Sequence, residues 1–298
     1  MSNSIVRKSV YEVVTDRILA LLDQGTIPWR KPWGGQEQMP RSLTTGKPYR
    51  GVNVFLLHAA GYESPYWLTY RQATEWGGHV RKGEKGFPVV FWKWREADEA
   101  ETDDEGKQKR PAPLLRYFTV FNLAQCEALP PEKLPASDVT PENPFTPIAV
   151  AEQVVAGFQN GPSIEFGHAG AWYRPSADLV GMPTRERFTS AEEHYGTLFH
   201  ELTHATGHVD RLKRKGITDQ VHFGSHTYSQ EELVAEMGAA FLLGHCGLGQ
   251  ATLENSAAYI DAWRQRLKAD SRVVVFAAAQ AQRAADLILG HAPSNDAE

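Results

Sequence analysis

The chain has 298 residues, 42% apolar and 22% charged, which suits one large or two ordinary domains and excludes a disordered polymer. Its two cysteines, Cys126 and Cys246, are too few for a disulfide framework or a cysteine-based zinc site. It has no signal-peptide-like apolar run near residue 1 and nothing near the roughly 20 apolar residues of a membrane span, so a soluble cytoplasmic protein is expected.

The net charge of −5 hides an asymmetry. Residues 1–130 are net +3, and +10 once the acidic run 96–105 is set aside, whereas residues 131–298 are net −8. Six of the eight tryptophans lie in the basic part, and six of the eleven histidines lie between 194 and 226. This segregation predicts an α+β chain of two domains with different work.

In chain order, apolar residues from Ile5 to Leu22 predict an amphipathic helix over 5–24 that stops at Gly25. Ile27-Pro-Trp-Arg-Lys-Pro-Trp33 cannot be regular helix and predicts an ordered loop showing indoles and cations. A short helix over 54–60 and a strand-then-helix over 67–76 follow. His79 to Gly86 reads as a basic turn, 87–94 as a strand and 114–121 as its returning partner. The acidic stretch 96–110 between them reads as a mobile hairpin tip. Six prolines mark 129–147 as a linker between domains at 1–128 and 148–290, with a polar tail at 291–298. Beyond the linker, a helix is expected over 148–159 and strands over 163–166, 170–174 and 179–182. A long loop over 207–228 precedes a helix over 228–243, then helices over 252–268 and 273–289.

The most informative stretch runs from Ser190 to Gly207. Ser190 and Glu193 read as a capping box, and Gly207 as a left-handed end. Inside is His200-Glu201-Leu202-Thr203-His204. At 3.6 residues per turn His200 and His204 lie on one helix face and can grip one Zn²⁺, with Mn²⁺ as an alternative. Glu201 lies beside the open coordination position, placed to act as general base. A third ligand must come from elsewhere. Glu232 is the first candidate, with Glu236 one turn on accepting from a ligand histidine. Glu236 itself, Asp210 at a third-ligand spacing, and His208 are rivals. Tyr228, His222 or His226 are candidates to steady an oxyanion. Strand 171–174 or 179–182 is a candidate to align a peptide by main-chain hydrogen bonds.

In the basic half, Trp29, Arg30, Lys31, Trp33, Tyr49, Arg50, Asn53, Lys82 and Lys85, with Trp92, Lys93 and Trp94, are candidates to hold single-stranded DNA, cations on phosphates and rings on bases. Duplex DNA is a weaker partner, since no helix-turn-helix or zinc-finger pattern is present. Trp67 and Trp76 read as core.

Ile27-Pro-Trp-Arg-Lys-Pro-Trp33, Lys47-Pro-Tyr-Arg-Gly-Val-Asn53 and Arg81-Lys-Gly-Glu-Lys-Gly86 resemble the N-terminal half of ArdC-type plasmid antirestriction proteins and of TraC primases. His200-Glu-Leu-Thr-His-Ala-Thr-Gly207, Arg211-Leu212 and Glu231-Glu-Leu-Val-Ala-Glu236 resemble the ArdC C-terminal half. The resemblance covers nearly the whole chain and departs only in the acidic insert 96–110. It implies an N-terminal single-stranded-DNA-binding domain joined to a zincin-like metallopeptidase domain akin to SprT and Spartan proteins. It also implies protection of incoming conjugative plasmid DNA from host restriction. In Spartan-type proteins the third ligand is a histidine, so the implied chemistry is looser than the implied architecture. The host protein substrate is not readable. Alternatives are a non-hydrolytic DNA-binding protein with a structural metal, and a priming accessory factor.

Overall fold

The computed structural model describes residues 8–30, 39–93, 114–135, 146–219, 226–249 and 257–292. The acidic stretch 96–110, most of the 129–147 linker, Lys31, Trp33, Trp94 and His222 lie outside them.

Helix α1 (Val10–Asp23) begins later than residue 5 because Ser9 caps it. The Ser9 hydroxyl accepts from the Glu12 N–H, and the Glu12 carboxylate accepts from the Ser9 N–H. A short turn, Pro28–Arg30, follows. Then come β1 (Arg41–Ser42), α2 (Val52–His58), β2 (Tyr66–Thr69), α3 (Tyr70–Glu75), β3 (His79–Val80), β4 (Phe87–Lys93), β5 (Leu114–Asn122) and β6 (Cys126–Glu127). The expected hairpin forms, with Phe87 opposite Val120 and Lys93 opposite Leu114. It belongs to a sheet of order β1-β2-β5-β4, in which only β1 and β2 run parallel. The expected basic turn opens as a strand, since β3 pairs with β6.

The C-terminal part holds α4 (Thr146–Gly157), β7 (Ser163–Phe166), β8 (Trp172–Arg174) and β9 (Leu179–Met182), then α5 (Ala191–Ala205), α6 (Lys215–Thr218), α7 (His226–Cys246), α8 (Ala257–Ala269) and α9 (Val273–Ile288). The three strands form one sheet of order β7-β9-β8. Helix α7 is buried nearly all round, through Leu233, Val234, Met237, Ala240, Phe241 and Leu243. A helix apolar on every side is a central helix. Here α5 and α9 flank it.

The two halves meet in the core. Val14, Ile18, Leu22, Trp29 and Phe55 join Met237, Phe241, Trp263 and Val274 in one apolar cluster. Phe55 of α2 stacks on Phe241 of α7 at 4.8 Å between ring centroids. Trp29 meets Trp263 edge-on at 5.8 Å. The Thr15 hydroxyl donates to the Ser271 carbonyl at 2.7 Å, and Arg50 pairs with Asp286. Sequence-defined domains therefore share a hydrophobic interior.

Candidate metal centre

Helix α5 starts as expected with Ser190 accepting from the Glu193 N–H at 3.2 Å. The reciprocal half shifts by one residue: the Glu193 carboxylate accepts from the N–H and hydroxyl of Thr189, each at 2.7 Å. Gly207 does not take the expected left-handed φ. It is small for another reason. A Cβ there would sit 2.6 Å from Ile217 and 3.1 Å from the Arg214 guanidinium.

His200 and His204 share one face of α5, with their Nε2 atoms 3.1 Å apart. Helix α7 crosses beside them and supplies Glu232. Its Oε2 lies 3.6 Å from His200 Nε2 and its Oε1 3.6 Å from His204 Nε2. Among the described residues this is the one cluster of metal-ligand type, with donor atoms all within 4.8 Å of one another. Two imidazoles and a carboxylate are a donor set for a borderline divalent ion. Two imine lone pairs 3.1 Å apart repel unless a proton or cation shares them. The surroundings also favour positive charge. Burial opposes a charged His200 ring, but the Glu232 hydrogen bond and the charges of Glu201, Glu232 and Glu236 outweigh it, and its pKa lies above the ordinary value. The residues present therefore fit a divalent cation. His200 and Glu232 are only partly buried, which leaves the cluster an approach from solvent, while His204 is largely buried. Glu201, between the histidines in sequence, is largely buried.

The orientation of His204 comes from residues the sequence reading passed over. Its Nδ1 lies 3.3 Å from Glu231 Oε1, which puts the proton on Nδ1 and turns the Nε2 lone pair toward Glu232. Glu231 in turn accepts from Arg214, at 2.6 Å from Nη2 and 2.9 Å from Nε. Arg214 also donates to the Thr203 carbonyl at 2.7 Å and the Thr206 hydroxyl at 2.6 Å, so it staples the end of α5 to α7. Burial would raise the Glu231 pKa; the His204 and Arg214 hydrogen bonds outweigh it and hold it below the ordinary carboxylate value. The available signal was the Glu231-Glu232 doublet at the head of an apolar helix, because successive helical residues point about 100° apart and cannot share a role.

Other site expectations are corrected. Glu236 does not accept from a ligand histidine; it is taken by Trp29, Arg30 and Tyr259. Asp210 is solvent-exposed and pairs with His208 at 3.5 Å, away from the triad. Tyr228 and His226 fall in the first turn of α7, and their side chains lie outside the described residues. Trp29 is fully buried and offers no face to a base. Asn53 is buried and bridges the Val90 main chain, donating to its carbonyl at 2.8 Å and accepting from its N–H at 2.7 Å. Tyr49 packs into the Leu57–Trp67 cluster, where burial pushes its hydroxyl pKa up to about 12. Arg50 is spent on Asp286, and Trp92 packs beside Tyr11 and Phe276. Lys82 and Lys85 are exposed. So are Arg116, Tyr117 and Phe118 of β5, which the sequence reading treated only as strand.

Known proteins share this architecture. Residues 8–121 match the family model "N-terminal domain of anti-restriction factor ArdC", and residues 149–280 match "zincin-like metallopeptidase". A zincin-like domain implies a divalent metal. Two crystal structures of the antirestriction protein ArdC from plasmid R388 superpose with a TM-score of 0.72. The metal-free one is 39% identical and covers 94% of this chain and 97% of its own. The Mn(II)-bound one is 38% identical and covers 95% and 98%. A DNA primase TraC of Escherichia coli is 37% identical over 305 residues, 95% of this chain but 27% of the primase. This chain thus spans about a quarter of that relative's length. An uncharacterized protein, y4eC, of Sinorhizobium fredii (strain NBRC 101917 / NGR234) is 37% identical over 97% of this chain and 94% of its own. No helix among the described residues is long and apolar enough to cross a membrane. With both halves matched, in order, over nearly its full length, the chain belongs to the ArdC family of antirestriction proteins.

Proposed function

We propose that this protein binds single-stranded DNA, protects incoming conjugative plasmid DNA from host restriction in the cytoplasm, and carries a zinc-type peptidase centre. The observation that carries the peptidase reading is the convergence of His200, His204 and Glu232 beside Glu201. These three residues would hold the ion, Zn²⁺ or Mn²⁺. When bound, the cation supplies Lewis acidity and an open position at which water becomes acidic. Glu201 accepts the proton at a carboxylate oxygen and returns it to the leaving amine nitrogen. His204 keeps its donor nitrogen aimed because Glu231 and Arg214 fix the other side of its ring.

Exposed Lys82, Lys85 and Arg116, with exposed Tyr117 and Phe118, support the DNA reading in the N-terminal half, cations for phosphates and rings for bases. Lys31 and Trp33, outside the described residues, remain candidates for DNA contact from the sequence.

Glu201→Ala tests the peptidase assignment. The variant is expected to keep cation and DNA binding and to lose cleavage of an unfolded protein such as casein. Cleavage at the unsubstituted rate would remove Glu201 from the mechanism. The same variant, in plasmid transfer into a restricting host, separates protection by hydrolysis from protection by DNA binding. Full protection would favour the non-hydrolytic reading.

A further inference from the structure

Glu236 follows Glu232 by four residues on α7, so both carboxylates lie on one helix face a turn apart. Its charge reaches His200. A second carboxylate so near a cation site is a competing ligand and an extra negative charge. In this fold both of its oxygens are occupied. Oε2 accepts from the Trp29 indole N–H at 3.0 Å, from Arg30 Nε at 3.3 Å and from the Tyr259 hydroxyl. Oε1 accepts from Arg30 Nη2 at 3.1 Å. An ionised carboxylate has about four lone-pair sites, and four donor contacts meet this one.

The clamp is largely buried. The Arg30 and Glu236 side chains are 15% and 14% exposed. The Arg30 guanidinium lies over the Tyr259 ring, 3.8 Å from its centroid. Trp29 is fully buried against Trp263. Two of the three clamping residues come from the N-terminal half, more than 200 residues before Glu236 in sequence.

Resting on the metal reading above, we propose that Trp29 and Arg30 are positioning residues of the metal centre. They keep both oxygens of Glu236 engaged and its charge paired with Arg30, so that the cation meets His200, His204 and Glu232 alone and keeps a coordination position open to water. The centre is therefore complete only with the N-terminal half docked. The same apolar, paired setting explains why Trp29 and Arg30 do not face solvent. Arg30 serves a carboxylate inside the protein and not a phosphate outside it.

The direction of the effect separates this role from simple damage. A loosened site binds metal more weakly. Without Arg30 the negative charge of Glu236 stands unpaired about a helical turn from a divalent ion, which tightens binding on the order of tenfold even at near-aqueous screening. The experiment is titration of the full chain with Zn²⁺ and with Mn²⁺, by calorimetry at a temperature where each variant is folded. Arg30→Ala is expected to bind about tenfold more tightly. Its Mn²⁺-loaded form should show reduced water-proton relaxation, because the open position closes. Adding Glu236→Gln to Arg30→Ala should restore both readings. Should Arg30→Ala not fold, Trp29→Phe keeps the buried ring and removes one donor, and a smaller shift in the same direction is expected. Unchanged or weaker binding in a folded variant overturns the clamp. An unsubstituted chain that binds neither ion overturns the metal reading and the clamp with it, whereas normal binding with no response to Arg30 overturns the clamp alone.

Discussion

His194 sits six residues before His200 and does something different. It is 4% exposed, boxed by Phe166, Phe188 and Tyr195, and neither ring nitrogen has a hydrogen-bond partner among the described residues. Burial, then the nearby Arg185 charge, lowers its pKa below the ordinary 6.5, with Glu152 opposing. A lowered folded value means the unfolded chain takes the proton first. Stability from the neutral ring is therefore intact above pH 6.5 and is lost as the pH falls from there toward the folded value. Denaturant midpoints measured from about pH 8 to about pH 5 should drop more steeply for the native chain than for His194→Leu, and parallel curves would contradict this. The same helix thus holds one histidine that shuns charge and, six residues on, His200, whose surroundings invite it. Residue type alone does not distinguish them, since the carboxylates facing His200 (Glu232 and Glu236 of α7, with Glu201 of its own helix) make the difference.

The pairing of α5 with α7 decides the site at the level of elements. Along this seam Gly238 faces Thr203, the residue just before His204. A Cβ on Gly238 would stand 2.5 Å from Thr203 Cγ2 and 2.7 Å from its hydroxyl oxygen. Thr203 is fully buried and donates to the Phe199 carbonyl at 2.7 Å, so it has little room to yield. Gly238→Ala should thus push the helices apart and spread the donors. Overpacking of this kind costs about 1–3 kcal/mol of stability, read by thermal unfolding. A cation titration should show weaker binding, and a variant with native melting and native affinity would refute the close-approach argument. Glycine at 238 breaks the rule that glycine is poor inside a helix, and the helix–helix distance is the compensation.

Taken whole, the molecule spends much of its basic, tryptophan-rich half on its own interior. Trp29, Trp67 and Asn53 are core, and Arg30 and Arg50 are ion-paired across to the C-terminal half. The cations left at the surface include Lys82, Lys85 and Arg116. Lys82→Glu with Lys85→Glu is expected to weaken oligo-dT binding at low salt. It should also flatten the dependence of log affinity on log salt, by about 0.7 for each phosphate of a single strand that is no longer neutralised. Unaltered affinity and slope in filter binding would place the DNA elsewhere. Since Val14, Ile18, Phe55 and Trp29 complete a core with Phe241 and Trp263, such measurements belong on the full chain.

By itself the sequence determined the local features. His200 and His204 share a helix face because about 3.6 residues make a turn, and Ser190 starts that helix because its hydroxyl satisfies an end N–H. The β4–β5 hairpin was legible in its β-branched and aromatic content, and the family motifs in their spacing. Only the tertiary structure decided which distant carboxylate completes the triad, that Glu231 and Arg214 aim His204, and that Trp29 and Arg30 turn inward to Glu236. Those outcomes depend on how α7 crosses α5 and on which face of the N-terminal half is buried. Pairings between residues so far apart in sequence leave no periodic trace in the chain.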